Sequence, residues 1–140
     1  MDKKYIAGIF ESSGHITFRK DIRTKNSIFP VIIINSQNIT LLENLKNIYG
    51  GSLKKGKYSS KLIISHRKAL SFINDIYDFL LFKKEIADII IDFYNVRFTR
   101  KYEAKRKKDL VRKFIQLEGF EEKNTKKGNG SIIKWLEEKE

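Results

Sequence analysis

Apolar and polar positions along the chain switch between two periods, and the switches divide it into elements. Residues 5–11, Tyr-Ile-Ala-Gly-Ile-Phe-Glu, are apolar on nearly every side of a helix, a pattern that requires burial all round. Ala7 and Gly8 within it are small and adjacent, so another backbone can approach closely. Gly14 can end the helix, since glycine accepts the left-handed conformation found there. From His15 the period becomes two. Ile16, Phe18 and Ile22 share one face, interrupted by Lys20, and His15, Thr17, Arg19, Asp21 and Arg23 share the other. This is a half-buried strand with a wet, mostly basic face. Residues 24–27 read as a polar turn. Residues 28–34 read as a second strand, in which Pro30 predicts an edge position or a bulge.

The helical period then returns. Asn38 or Thr40 can cap a helix over 39–49 with Leu41, Leu42, Leu45 and Ile48 on its core face, and Gly50-Gly51 stops it. Residues 52–58 and 61–65 predict a lysine-rich hairpin around Ser59-Ser60. Residues 69–79 and 83–96 predict two more helices, with Leu70, Ile73, Ile76 and Tyr77 inward on the first and Ile86, Ile89, Ile90 and Phe93 on the second. A basic helix is expected over 103–117, a linker over 124–130 and a short helix over 131–140. The first 96 residues therefore read αββαββα, an α+β class with a four-stranded antiparallel sheet and additional C-terminal helices.

Composition sharpens this picture. The 140 residues include 29 Lys plus Arg against 17 Asp plus Glu, a net charge of +12, which points to a polyanion such as nucleic acid. Residues 1–96 carry +6, residues 97–113 carry +7 and residues 114–140 carry −1. The break divides the chain into a domain over 1–96 and a basic C-terminal extension over 97–140. Without cysteine there is no disulfide framework, thiolate metal site or Cys nucleophile. No apolar run approaches the roughly 20 residues of a membrane span, and the few residues before the first helix leave no room for a signal peptide. Usage heavy in Ile, Lys and Asn suggests an AT-rich genome, and with it an intracellular protein of cytoplasmic, organellar or viral origin.

The stretch Ile6-Ala7-Gly8-Ile9-Phe10-Glu11-Ser12-Ser13-Gly14 resembles the nine-residue signature of the LAGLIDADG homing endonucleases. The likeness continues through Ile34-Asn35-Ser36-Gln37-Asn38, Leu41-Leu42-Glu43-Asn44-Leu45, Gly50-Gly51, the lysine-rich hairpin and the stretch from Phe79 to Ala87, covering residues 5–96. The resemblance implies that the motif helix packs against that of a second copy, through Ile6, Ala7, Gly8 and Phe10. One motif per chain implies a homodimer sharing a long pseudo-palindromic DNA site.

In that family an acidic residue precedes the final glycine of the motif and binds a divalent metal. Here the position is Ser13, a neutral and weak ligand, whereas Mg²⁺ is a hard cation that takes oxyanion ligands. The Ser12 backbone carbonyl is the remaining metal ligand the resemblance implies, and a weak one. Glu11 lies about 200° around the helix from Ser13, so a structural role near the helix end is expected of it. Lys83 matches the lysine the family places near the scissile phosphates, and Gln37, or else Ser36, a polar residue that organises water. His15 and His66 are the only histidines. DNA contacts are expected from Thr17, Arg19, Asp21, Arg23, Lys25, Lys54, Lys57 and Lys61, with arginines reading bases and lysines holding phosphates. The expectation is therefore sequence-specific binding of double-stranded DNA by a cleavage-deficient homodimer. Two alternatives stand beside it: an active endonuclease with Mg²⁺ as cofactor, making a double-strand break, and an RNA-binding intron maturase.

Overall fold

The computed structural model describes residues 1–20, 28–95 and 101–118, with side chains of the last segment described over 106–116. The elements run α1 (Lys3–Ser13), β1 (Gly14–Lys20), β2 (Ile28–Ser36), α2 (Ile39–Tyr49), β3 (Ser52–Lys54), β4 (Ser60–Ser65), α3 (Arg67–Ile76), a single 3-10 turn (Tyr77–Phe79), α4 (Lys84–Asn95) and α5 (Lys101–Glu118). This is the αββαββα order, from α1 to α3, followed by the 3-10 turn and two further helices, α4 and α5. The strands form one sheet in the order β1-β2-β4-β3, with β4 antiparallel to both β2 and β3. No helix among the described residues is long and apolar enough to cross a membrane. The turn over 24–27 and the helix over 131–140 lie outside the described residues.

Two compact units divide the chain, and their boundaries differ from a division at residue 97. The first comprises residues 1–17 and 30–84, the second 18–29 and 85–140. In the first, α1 contributes Ile6, Ala7 and Phe10 to the core, α2 contributes Leu42 and Leu45, and α3 contributes Ala69, Phe72, Ile73 and Ile76. Ile32, Ile34, Leu62 and Ile64 on the inner face of the sheet complete it, all fully buried. Phe72 is the hub: the Phe10 and Tyr49 rings meet it edge-on at 5.7 and 4.9 Å. Tyr49 is also hydrogen-bonded to Asp75, and burial followed by that carboxylate pushes its phenol up to about 12.

Local chemistry sets the ends of these elements. Asp2 caps α1 by accepting the Lys4 N–H at 2.8 Å. Asn38, not Thr40, caps α2, accepting the Leu41 N–H at 3.1 Å. Gly51, at φ 104°, carries the chain from α2 into β3 with its Cα so close to β4 that a Cβ would stand 2.5 Å from the Ile63 carbonyl oxygen. The helix expected over 69–79 is displaced toward the N-terminus. It begins at Arg67 because the His66 carbonyl accepts the Ala69 N–H at 3.0 Å. It ends at Ile76, where the backbone tightens into the 3-10 turn.

Three expectations are corrected. β2 is an inner strand, so Pro30 does not mark an edge. It precedes the first β4 pair, Val31 with Ser65, and its carbonyl still accepts the His66 N–H at 3.2 Å. The hairpin is shorter than expected, since β3 ends at Lys54 and residues 55–59 form a loop: Lys54-Lys55-Gly56-Lys57 offers no alternating apolar set to bury. Lastly, α1 is not buried all round in one chain. Tyr5, Gly8 and Ser12 form an open stripe, and a Cβ at Gly8 would meet nothing within 4 Å. Ile6, Ala7 and Phe10, expected at a dimer interface, are core residues with at most 1% exposure. Of those four, only Gly8 remains available to a partner.

In the second unit Phe18 packs against Phe93 at 5.3 Å and Phe114 at 5.2 Å, with Ile89, Ile90 and Val111 buried in the same unit. Val111 and Phe114 are the buried apolar residues described in the basic helix, and Lys107 lies on the same face one turn before Val111. It is 2% exposed, with its ammonium 4.5 Å from the Phe93 ring centre, so the 97–113 block is not uniformly a solvent-facing arm. Among core residues, Phe10 couples α1 to α3 with no exposed surface. Phe10→Ala is expected to cost about 3–5 kcal/mol, read as a lowered midpoint in urea unfolding.

Candidate functional site

The end of α1 is joined to the entry of α4 by two side chains that reach in opposite directions. The Glu11 carboxylate accepts three consecutive backbone N–H groups: Leu81 at 2.8 Å, Phe82, and Lys83 at 3.0 Å. No strand or helix ladder satisfies these groups, so the carboxylate supplies partners the backbone requires. In return the Lys83 ammonium donates to the carbonyls of Phe10, at 3.3 Å, and Gly14, and lies 5.1 Å from the Phe10 ring centre. A cation at the C-terminal carbonyls of a helix also opposes the helix dipole there. Burial would raise the Glu11 pKa, but the three N–H bonds and the Lys83 charge outweigh it, and the group is held below its ordinary value.

Ser13 is the exposed last residue of α1. Its hydroxyl lies 3.3 Å from that of Ser12, which donates to the Ile9 carbonyl at 3.3 Å. His15 follows on the outer face of β1. Partial burial, then the charges of Lys83 and Lys61, lower its pKa. Gln37 is exposed just beyond β2 and lines a cleft with residues of the 55–60 loop. The Ser36 hydroxyl, the other candidate for the water-organising role, accepts the Asn38 N–H at 3.0 Å.

These groups do not fit a magnesium ion in one chain. Ser12 and Ser13 offer neutral hydroxyls, the Glu11 carboxylate is held by three N–H groups, and the carbonyls at Phe10 and Gly14 already accept an ammonium. Among the described residues no three His, Asp or Glu side chains come together in a metal-ligating group. A hard divalent cation needs oxyanion donors that this end of α1 lacks.

The outer face of the sheet carries the expected polar groups in rows. Lys54, Lys61 and Asn35 stand side by side across β3, β4 and β2, and His15, Thr17 and Arg19 follow one another on the same face of β1. Asn35 was missed by sequence reasoning, although it breaks the Ile32–Ile34 run at an outward position. The face is not wet throughout, because the adjacent row pairs Ile33 with Ile63, at 8% and 9% exposure. Lys57 lies in the loop rather than on a strand. Asp21, Arg23 and Lys25 lie outside the described residues.

No family model and no curated protein matches the chain. Solved structures do. The homing endonuclease I-CvuI in complex with its target, in the presence of calcium, superposes with a TM-score of 0.73 at 12% identity over 93% of both chains. An archaeal intron-encoded homing endonuclease complexed with DNA, I-Vdi141I, gives 0.66 at 20% identity over 95% of both. The LAGLIDADG homing endonuclease I-GzeII, in complex with its DNA target, gives 0.61 at 18% identity over 79% of this chain but only 43% of its own.

The Glu11 contacts have a pH signature. A carboxyl whose folded pKa lies below its unfolded value stabilises the fold above the unfolded value, and that contribution is lost as pH falls through the folded one. Relative to Glu11→Gln, the native chain is expected to be more stable at pH 7. The difference should shrink as pH drops below the ordinary value of 4.5, as read from paired denaturant titrations.

Proposed function

We propose that this chain, which has the fold of the LAGLIDADG homing endonucleases, is a sequence-specific double-stranded DNA-binding protein that works as a homodimer and is deficient in cleavage. The observation that carries the reading is the end of α1. A serine stands where the family's metal-binding carboxylate belongs, and the Lys83 ammonium occupies the neighbouring carbonyls. This end of the helix attracts phosphate without assembling a metal-activated nucleophile. The DNA complexes formed by the similar structures support the binding half of the proposal.

On this reading Arg19 reads a base edge, through the paired donors that suit guanine. Thr17, Asn35, Lys54 and Lys61 line the same face of the sheet, and the lysines hold phosphates and set register. The loop lysine Lys57 joins them. Asp21, Arg23 and Lys25, which lie outside the described residues, complete the proposed set. Lys83 and His15 stand nearest the central phosphates and hold them without cutting. The maturase alternative leans on the 97–113 block, and the burial of Lys107 and Lys108 weakens it.

The partner in this proposal is a second copy. The open stripe of Tyr5, Gly8 and Ser12 gives α1 a face with no side chain at its centre, and Leu81 and Phe82, 79% and 85% exposed, extend that apolar surface where Glu11 holds their backbone. The 43% coverage of I-GzeII is consistent with a working unit containing two such halves.

Selection from a random duplex library is expected to return a long pseudo-palindrome. Its affinity should fall steeply with salt as each neutralised phosphate releases counterions. The native chain should leave the site intact in Mg²⁺, and Ser13→Asp should produce Mg²⁺-dependent nicking. Strong cleavage by the native chain, abolished in Lys83→Ala, would overturn the cleavage-deficient reading. Gly8→Leu has room in one chain and should yield a folded monomer in sedimentation. A Gly8→Leu protein that remains dimeric would place the interface elsewhere.

A further inference from the structure

The β3–β4 loop and the end of β2 enclose a cleft of which the proposed function uses only the loop lysine Lys57. An open cleft of about 310 Å³ lies between Gln37 and the loop residues Lys55, Lys57, Tyr58 and Ser59, at the small end of the roughly 300–1,000 Å³ typical of ligand clefts. Its polar lining is cationic or neutral, with no carboxylate. Tyr58 is 79% exposed, and the Lys57 ammonium lies 5.4 Å from its ring centre. An exposed aromatic ring with the Lys57 ammonium over it and Lys55 lining the same cleft is a combination that binds unpaired nucleotides, the ring offering a face for a base and the cations holding its phosphate.

The cleft is also well positioned. Ser36 pairs with Ser60 across β2 and β4, so Gln37 is anchored opposite the loop. The Gly56 N–H donates to the Ser60 hydroxyl at 3.4 Å. A Cβ at Gly56 would overlap the Ser59 carbonyl, so a glycine there is what lets the loop fold back and form the wall. Gln37 presents an amide donor and acceptor together, the pair that complements the adenine edge.

We propose that this cleft receives one unpaired nucleotide of bound DNA, its base against Tyr58, its edge against Gln37 and its phosphate against Lys55 and Lys57. The protein would then recognise a strand distortion as well as a duplex sequence. The inference rests on the DNA-binding reading above. The test compares the selected duplex with a series carrying one extra unpaired adenosine at successive positions. The native chain should bind at least one bulged duplex about tenfold more tightly than the perfect one. Tyr58→Ala should bring that ratio to about one without changing affinity for the perfect duplex, and Tyr58→Phe should keep it. A native chain that binds the perfect duplex but prefers no bulge, or a Tyr58→Ala protein that keeps the preference, overturns this inference alone. Binding to no duplex at all overturns it together with the DNA-binding reading.

Discussion

The site depends on the exchange between Glu11 and Lys83. One carboxylate satisfies three backbone N–H groups that no regular element can reach, and the ammonium two residues from the first of them returns to the carbonyls at the end of α1. Together they fix where α1 stops, where the chain turns toward α4, and where the charge of Lys83 stands. They also leave the side chains of Leu81 and Phe82 outward, because their backbone is committed inward. The exposed side chains of Leu81 and Phe82 and the position of the Lys83 charge are thus set by the same few atoms.

The exchange changes the meaning of the serine at position 13. A motif helix that ends in a carboxylate can share a cation with a phosphate. A motif helix that ends in serine and is capped by lysine already holds its cation, and that cation has no open coordination position to activate water. Positive charge at the centre favours binding, but charge alone does not supply a nucleophile. On the proposed reading, binding and cleavage are separable properties of one scaffold, because holding a phosphate needs only charge whereas cutting it needs an activated nucleophile.

Much of the architecture was legible in the residue pattern. The period-two and period-3.6 segments predicted each element from α1 to α4 in order, with Asn38 and Gly50-Gly51 marking the ends of α2 by their backbone chemistry. The basic helix expected over 103–117 falls within α5, where Val111 and Phe114 supply the buried face. The errors have one kind of cause. Pro30 was assigned to an edge and the hairpin was drawn too long because a pattern reports which residues want burial, not which strand lies beside which. Ile6, Ala7 and Phe10 were placed at an interface by the resemblance, and the resemblance does not say which faces of the helix this chain itself covers.

The sequence by itself determined the αββαββα order, the concentration of positive charge and the absence of a carboxylate at Ser13. These are properties of single residues and of their spacing. Only the tertiary structure decided that Glu11 spends its charge on residues 81–83, that Lys83 points back onto the carbonyls of α1, that Lys107 is buried against Phe93, and that Tyr58 stands open beside Gln37. Each is a contact between groups distant in sequence or a choice of which side faces water. The physical reason is common to all four: a charge or a ring has the same identity in every context, and the backbone groups and neighbours that folding brings to it decide what it does.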